Sequence, residues 1–386
     1  MNKVKKRKIC VVIASRANYA RVKYLMKAIK NNKNLTLQII VGASSLLHKY
    51  GKAIDVIVND GFKPDFVIHY LIEGENLVTQ VKSTGMGVIE LSTAFQKLEP
   101  DIVISVADRF ETMATAIASS YMNIPLAHIQ GGEVSGNIDD SVRHAITKLA
   151  HIHFPATKKS AKRIENLGEE KWRIFNYGCP SIDTIRNLNK KLPSTEYFKN
   201  KGTGVPFDPN KPYIIVLQHP VTTSLNDTKF QIQETLEAAK LIDINKIVMW
   251  PNPDAGSSEL SKMIRDFQNI DKSSKFSYFT NFPPEIFVKL IYNASCLIGN
   301  SSSFIREGSF LGKPAVIIGE RQEGREHAEN VIFSKYCRKD ILSKINIQLK
   351  RQKIKKSFIF GKGDAGIKIA KKLENVKLKI VKKITY

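Results

Sequence analysis

Short apolar runs alternate with helix-length amphipathic segments along the whole chain. KICVVIA (8–14) and LTLQIIVGAS (35–44) read as strands, with the helix YARVKYLMKAIKN (19–31) between them. DIVISVA (101–107), IPLAHI (124–129) and HIHFPAT (151–157) continue the strands, separated by the helices RFETMATAIASSYM (109–122) and IDDSVRHAITKLA (138–150). Repeated strand–helix–strand units predict a parallel sheet, with ligands at the carboxyl ends of its strands. A second series begins at KPYIIVLQHP (211–220). It runs through QETLEAAKLI, KIVMWPNP, SSELSKMIRDF, a short strand near SYFT, PPEIFVKLIYNA and SCLIGN to KPAVIIG (313–319). Between the two series lies NKKLPSTEYFKNKGTGVPFDPNK (189–211), rich in Lys, Pro, Gly and Asn. It reads as the connection between two similar α/β domains, with the active site expected in the cleft between them.

Composition narrows the class. The 386 residues, 42% apolar and 25% charged, are those of a soluble globular chain of about two domains. No run approaches the ~18 apolar residues of a membrane span. MNKVKKRKICVVIASR resembles a signal peptide, but its apolar part is short and no small-residue cleavage site follows, so it reads as a first strand. The four cysteines, Cys10, Cys179, Cys296 and Cys337, form no CxxC pair and fit reduced, buried thiols in a cytoplasmic protein. The net charge of +24 suggests an anionic partner. Much of it sits in MNKVKKRK, LKRQKIKKS and KKLENVKLKIVKK, whose lysines mostly read as solvated faces, and no nucleic-acid motif accompanies it.

The chemistry gathers at predicted strand ends. In LIGNSSSFIREGSFLGKPAVIIG (297–319), Ser301, Ser302 and Ser303 lie between a strand and a helix. Hydroxyls, free backbone N–H groups and the positive helix end suit phosphate oxygens there, and Glu307 suits ribose hydroxyls. A single serine at that place is more often only an N-cap. The first strand ends without a GxGxxG turn; Arg16 stands there instead, suited to a phosphate. GMGVIE (85–90) falls within a helix and carries no cofactor signal. VADRF places Asp108 and Arg109 directly after a buried strand, where adjacent charges are costly unless satisfied or functional. HIQGGEVSGNIDD brings Glu133, Asp139 and Asp140 to the same rim, one of the two aspartates being expected to cap its helix. His151 and His153 share a strand face and read as hydrogen-bonded histidines, since no cluster completes a metal set. His219 ends the first strand of the second series, where it can face a phosphate.

Together these residues resemble the hydrolysing UDP-N-acetylglucosamine 2-epimerases of sialic acid biosynthesis. The matching segments are SRANYAR, ADRFE, GGEVSGNIDDSVRHAITKLAH, LQHPVTT, PNPDAGS, GNSSSFIREG, RQEGRE and GDAGIKIAKKL, in the family's order over nearly the whole chain. The resemblance implies the α/β GT-B architecture, two Rossmann-like domains with parallel sheets. It implies a first domain over 1–182 with the helix 365–386 packed back on it, and a UDP-binding domain over 183–364. It implies UDP-sugar binding by Arg16, Arg109, His219, Asn252, Ser301, Ser302, Glu307 and Arg321, and catalysis by Asp108 and Asp139. Where many members have glutamate in a HIEGG stretch, this chain has Gln130, an amide that cannot usefully exchange a proton near neutral pH. The acid/base work is therefore expected of Asp108, Asp139 and Glu133, with Gln130 hydrogen-bonding the sugar.

The implied reaction is elimination of UDP to a 2-acetamidoglycal, followed by hydration to N-acetylmannosamine. It needs no cofactor and no metal. A UDP-2,4-diacetamido-2,4,6-trideoxyhexose of the legionaminic acid pathway is the alternative substrate. A GT-B glycosyltransferase is the alternative of another class. A basic nucleic-acid or membrane-surface protein ranks third. The expected partners are the UDP-sugar and a homo-oligomer, dimer or tetramer, with no nucleic acid and no membrane.

Overall fold

The computed structural model describes residues 6–74, 76–135, 138–186, 188–252, 254–271, 275–351 and 353–385. Met1–Lys5, Gly136 and Asn137, which belong to stretches discussed above, lie outside the described residues. The chain divides into two compact units, one formed by 1–133, 139–186 and 359–386, the other by 134–138 and 187–358.

In the first unit the elements run β1 (Arg7–Ile13), α1 (Arg16–Lys30), β2 (Leu35–Gly42), α2 (Ala53–Asn59), β3 (Phe66–Ile68), α3 (Leu77–Leu98), β4 (Ile102–Val106), α4 (Phe110–Tyr121), β5 (Leu126–Ile129), α5 (Asp139–Leu149), β6 (Ile152–Phe154), α6 (Lys158–Asn166) and α7 (Asp183–Arg186). The six strands form one parallel sheet in the order β3-β2-β1-β4-β5-β6, the doubly wound order of nucleotide-binding domains. Successive side chains of β1 face opposite ways. Ile9, Val11 and Ile13 pack with Val22, Leu25 and Met26 of α1, while Cys10 and Val12 pack with Leu91 and Phe95 of α3. A strand buried on both faces is a continuous apolar run, which is why these strands are conspicuous in the sequence.

The second unit continues with α8 (Thr195–Phe198), β7 (Gly202–Gly204), β8 (Tyr213–Leu217), α9 (Thr228–Lys240), β9 (Asn245–Met249), α10 (Ser257–Ile270), β10 (Phe276–Phe279), α11 (Pro284–Asn293), β11 (Cys296–Gly299), α12 (Ser302–Leu311), β12 (Ala315–Ile318), β13 (Val331–Ser334) and α13 (Arg338–Lys350). Its sheet has the order β13-β12-β11-β8-β9-β10-β7. All neighbours are parallel except β7, which pairs antiparallel with β10. The stretch expected to be a mere connection is therefore part of this unit. It supplies β7, and its Phe198 and Phe207 are buried against each other and against Phe279. The polar residues around those two aromatics masked the signal.

The chain then returns to the first unit as α14 (Ala365–Asn375), where Ile369 and Leu373 join the α1 side of the core. The expected helix over 365–386 stops at Asn375, with Val376 already extended. Beyond it, KLKIVKK has the two-residue alternation and β-branched content of extended chain. Nor are the lysines of this run uniformly solvated: the Lys382 side chain is only 18% exposed. Of the cysteines, Cys10, Cys179 and Cys296 are buried free thiols, but Cys337 is exposed. It directly precedes α13, outside both the sheet and the core.

Candidate active site

The carboxyl ends of β4 and β5 turn in the same unusual way. Ala107 and Gln130, each the residue immediately after its strand, both have a φ of 66°. Side chains rarely adopt this left-handed backbone, which costs about 1–3 kcal/mol each and tends to collect at functional sites. His128 bridges the two turns. Its Nε2 lies 2.8 Å from the carbonyl of Ala107, which can only accept, so the ring carries its proton there. Burial pushes the His128 pKa down to about 3, so the ring is a neutral structural donor. After Gln130 the chain needs Gly132: its φ is +72°, and a Cβ there would lie 2.3 Å from the carbonyl of Ser160.

At this rim one residue gathers the carboxylates. Arg143, on the second turn of α5 and 1% exposed, pairs through Nη2 with Asp108. Through Nη1 it donates to Asp140 Oδ1 at 2.5 Å and to the Glu133 carbonyl at 2.8 Å. Burial alone would lower its pKa, but Asp108, Glu133 and Asp140 together raise it above the ordinary arginine value. Asp139 stands beside Asp140 in the first turn of α5, and the Glu133 side chain is buried. Asp108, Asp140 and Glu133 thus gather around Arg143, and Asp139 lies next to Asp140 on the same helix turn. Arg109 is turned elsewhere: its guanidinium grips the fully buried Glu111 with two bonds, Nε–Oε2 at 3.0 Å and Nη2–Oε1 at 2.9 Å. Gln130 is buried and donates from Nε2 to Cys179 Sγ at 2.8 Å, while its Oε1 has no hydrogen-bond partner. Arg16 opens α1, just after Ser15, whose hydroxyl caps that helix. The two histidines read as hydrogen-bonded are so: His151 Nδ1 accepts from the Leu126 amide at 3.2 Å, and His153 Nε2 donates to Glu169 at 3.1 Å.

In the second unit the organiser is Asn300, fully buried at the end of β11. Its Oδ1 accepts from the His219 amide at 2.7 Å and its Nδ2 donates to the His219 carbonyl at 2.8 Å. Its own carbonyl accepts from Gln322 at 2.9 Å and from Arg321 Nη1 at 3.4 Å. Only glycine can precede it: Gly299 has a φ of +131°, and a Cβ there would fall 2.1 Å from the carbonyl of Leu217. His219 Nδ1 accepts from the Asn252 amide at 3.1 Å, so the neutral ring holds its proton on Nε2, a donor suited to a phosphate oxygen. Arg321 also pairs with Asp254 at 3.7 Å. Ser301 is the N-cap of α12, accepting from the Ser303 amide at 3.4 Å, and Ser302 is the first helical residue. Glu307 lies further along α12 and is buried. The structure thus joins His219, Asn252, Ser301 and Arg321 through a residue to which the sequence reading assigned no role.

Arg143 and Asn300 are the two organisers that reasoning from sequence missed. For Arg143 a local signal existed, since Asp140 and Arg143 have the spacing of a helical ion pair. Asn300 had only its place between a buried strand and a run of serines.

Two Rossmann-type units, one with a carboxylate cluster at its strand ends and the other with a serine-capped helix after a strand, have the GT-B fold. The chain belongs to the UDP-N-acetylglucosamine 2-epimerase family, whose model matches residues 27–374. It is 32% identical over 372 residues to a hydrolysing UDP-N,N'-diacetylbacillosamine 2-epimerase of Legionella pneumophila, covering 96% of this chain and 97% of that one. It is 30% identical to a UDP-N-acetylglucosamine 2-epimerase of Neisseria meningitidis, covering 93% and 92%. Among solved structures it is similar to the Methanocaldococcus jannaschii UDP-GlcNAc 2-epimerase in complex with UDP-GlcNAc and UDP. That match has a TM-score of 0.79 and 18% identity, over 95% of this chain and 99% of the other. No helix among the described residues is long and apolar enough to cross a membrane.

Proposed function

We propose that the protein is a hydrolysing UDP-N-acetylglucosamine 2-epimerase, converting UDP-N-acetylglucosamine and water to N-acetylmannosamine and UDP. The observation that carries the reading is the cluster around Arg143, which holds Asp108 and Asp140 with the Glu133 backbone at the ends of β4 and β5. Epimerisation at C2 needs such a cluster, because the C2 proton is not acidic and must be removed by a positioned base. As that proton leaves, the C1–O bond to UDP breaks, its electrons pass to the β-phosphate, and a C1–C2 double bond forms. Water then adds its oxygen to C1, and a proton returns to C2 from the opposite face. Asp108, Asp139 and Glu133 carry the two proton transfers. His219, Asn252, Arg321 and Arg16, with Ser301 and Ser302, hold the diphosphate as it gains charge, and Glu307 takes the ribose; Arg109, engaged by Glu111, is left out of this set. The proton on His219 Nε2 and the capped start of α12 support this division.

A second substrate is favoured by a specific observation. Gln130 Oε1 is a buried acceptor with no hydrogen-bond partner, so it suits a donor on the sugar. The acetamido N–H at C4 of a UDP-2,4-diacetamido-2,4,6-trideoxyhexose is such a donor, as is the C4 hydroxyl of UDP-N-acetylglucosamine; what favours the diacetamido sugar is a relative named for one. We place the enzyme in the cytoplasm as a homo-oligomer, a dimer or tetramer, which light scattering of the purified protein tests. NMR after incubation in heavy water, separately with each sugar, tests the reaction. Free 2-epimerised sugar deuterated at C2, together with UDP, is expected, and the faster substrate names the pathway. Both nucleotide sugars remaining intact overturns the epimerase and moves a GT-B glycosyltransferase forward.

A further inference from the structure

One lysine of the basic run at 371–383, Lys382, turns inward. Lys382 directs Nζ at the carbonyls of Lys148 and Ala150, the latter at 2.7 Å, and pairs with Glu169 Oε2 at 2.8 Å. Those carbonyls end α5, whose last helical residue is Leu149. The last carbonyls of a helix have no partner within it and carry the negative end of its dipole, so an ammonium group there both satisfies and stabilises them. The surrounding contacts fix the lysine in place. Arg173, 1% exposed, donates to the carbonyls of Lys379 at 2.9 Å and Val381 at 3.0 Å, holding the backbone just before Lys382. The Thr385 amide donates to the Gly168 carbonyl at 3.1 Å on the other side. Glu169 is itself held by Lys148 at 2.6 Å and by His153 at 3.1 Å.

At its opposite end the same helix carries Asp139, Asp140 and Arg143. An 11-residue helix is stiff over its length of about 16 Å, so a shift at one end appears at the other. We propose that Lys382 is a positioning residue for the proton-transfer cluster, holding the carboxyl end of α5 so that Arg143 and Asp139 are set correctly against Asp108. This rests on the 2-epimerase reading above.

Full-length Lys382→Met and Lys382→Arg variants test it. With Lys382→Met, kcat on the UDP-sugar should fall about 10-fold or more while KM stays within about 2-fold, because misplacement of acid/base groups acts on the chemical step. Lys382→Arg should recover most of that loss. Amide hydrogen exchange over 140–146 should quicken about 10-fold in Lys382→Met, while α4 is unchanged. A Met variant with wild-type kcat and wild-type exchange in α5, or one that loses only thermal stability, overturns the proposal. If wild-type protein turns over no UDP-sugar, the epimerase reading has failed, and exchange over 140–146 alone decides: quickened, the helix lock stands; unchanged, it falls. Should Lys382→Met not fold, Lys382→Gln is read by the same measurements.

Discussion

The rim of the first unit is centred on a buried cation, Arg143, whereas that of the second is centred on a neutral amide, Asn300. Around Arg143, a buried guanidinium binds two carboxylates and a carbonyl beside two residues in left-handed backbone. Around Asn300, one amide clamps the backbone of His219 from both sides, next to a glycine that admits no side chain. The contrast follows the two tasks assigned above. Groups that trade protons need tuned pKa values, and neighbouring charges supply the tuning. Groups that hold a diphosphate need only be donors already in place, and the amide of Asn300 fixes His219 without adding a charge of its own.

The largest effect should come from breaking the charged frame. Arg143→Ala removes the buried guanidinium from Asp108 and Asp140; stability should fall by about 3–5 kcal/mol in a denaturant titration, and turnover should fall to background. A smaller effect separates the units by pH. Burial raises the Glu169 pKa, but hydrogen bonds from His153, Lys148 and Lys382 outweigh it and hold the group down at about 2. Its stabilisation is therefore present above about pH 4.5 and lost as pH falls from there towards 2, a contribution of up to roughly 3 kcal/mol. Acid unfolding followed by circular dichroism should lose that part of its slope in Glu169→Gln. Asn300→Ala removes two neutral bonds and should weaken UDP binding by about 10- to 30-fold in calorimetry, at roughly 1 kcal/mol per bond. If Asn300→Ala instead lowered kcat with UDP affinity unchanged, the division of labour between the units would be wrong. The smallest effect on stability is that of Ser301→Ala, about 1 kcal/mol of cap energy, seen as a few degrees in the melting temperature. Gln130→Glu probes the sugar: activity on UDP-N-acetylglucosamine should not rise, and a gain there with no loss on the diacetamido sugar would remove Gln130 from its assigned role.

The sheets were legible because their strands are buried on both faces, leaving unbroken runs such as CVVI and IVISV. β3, β7 and β13 were not, being only partly buried or exposed and set by pairing with a neighbour rather than by their own pattern. The site residues that could be read were those whose type is anomalous where they stand, such as Asp108 after a buried strand or three serines before a helix. The organisers escaped because their partners are remote: Arg143 meets Asp108 across 35 positions and Asn300 meets His219 across 81. No local pattern announces a bond of that span. The tail beyond Asn375 shows the same limit, since which lysine of a basic run turns inward depends on carbonyls contributed by α5.

β7 also bears on how the protein behaves at high concentration. An unpaired parallel strand such as β10 would offer a row of amides and carbonyls to any other chain, the usual seed of edge-to-edge aggregation. Gly202–Gly204 occupies that row with a strand of three exposed residues. It is too short to serve as a template in its turn, and Gly204 bends away at a φ of +81°. The stretch that looked like a linker thus closes that flank of the sheet.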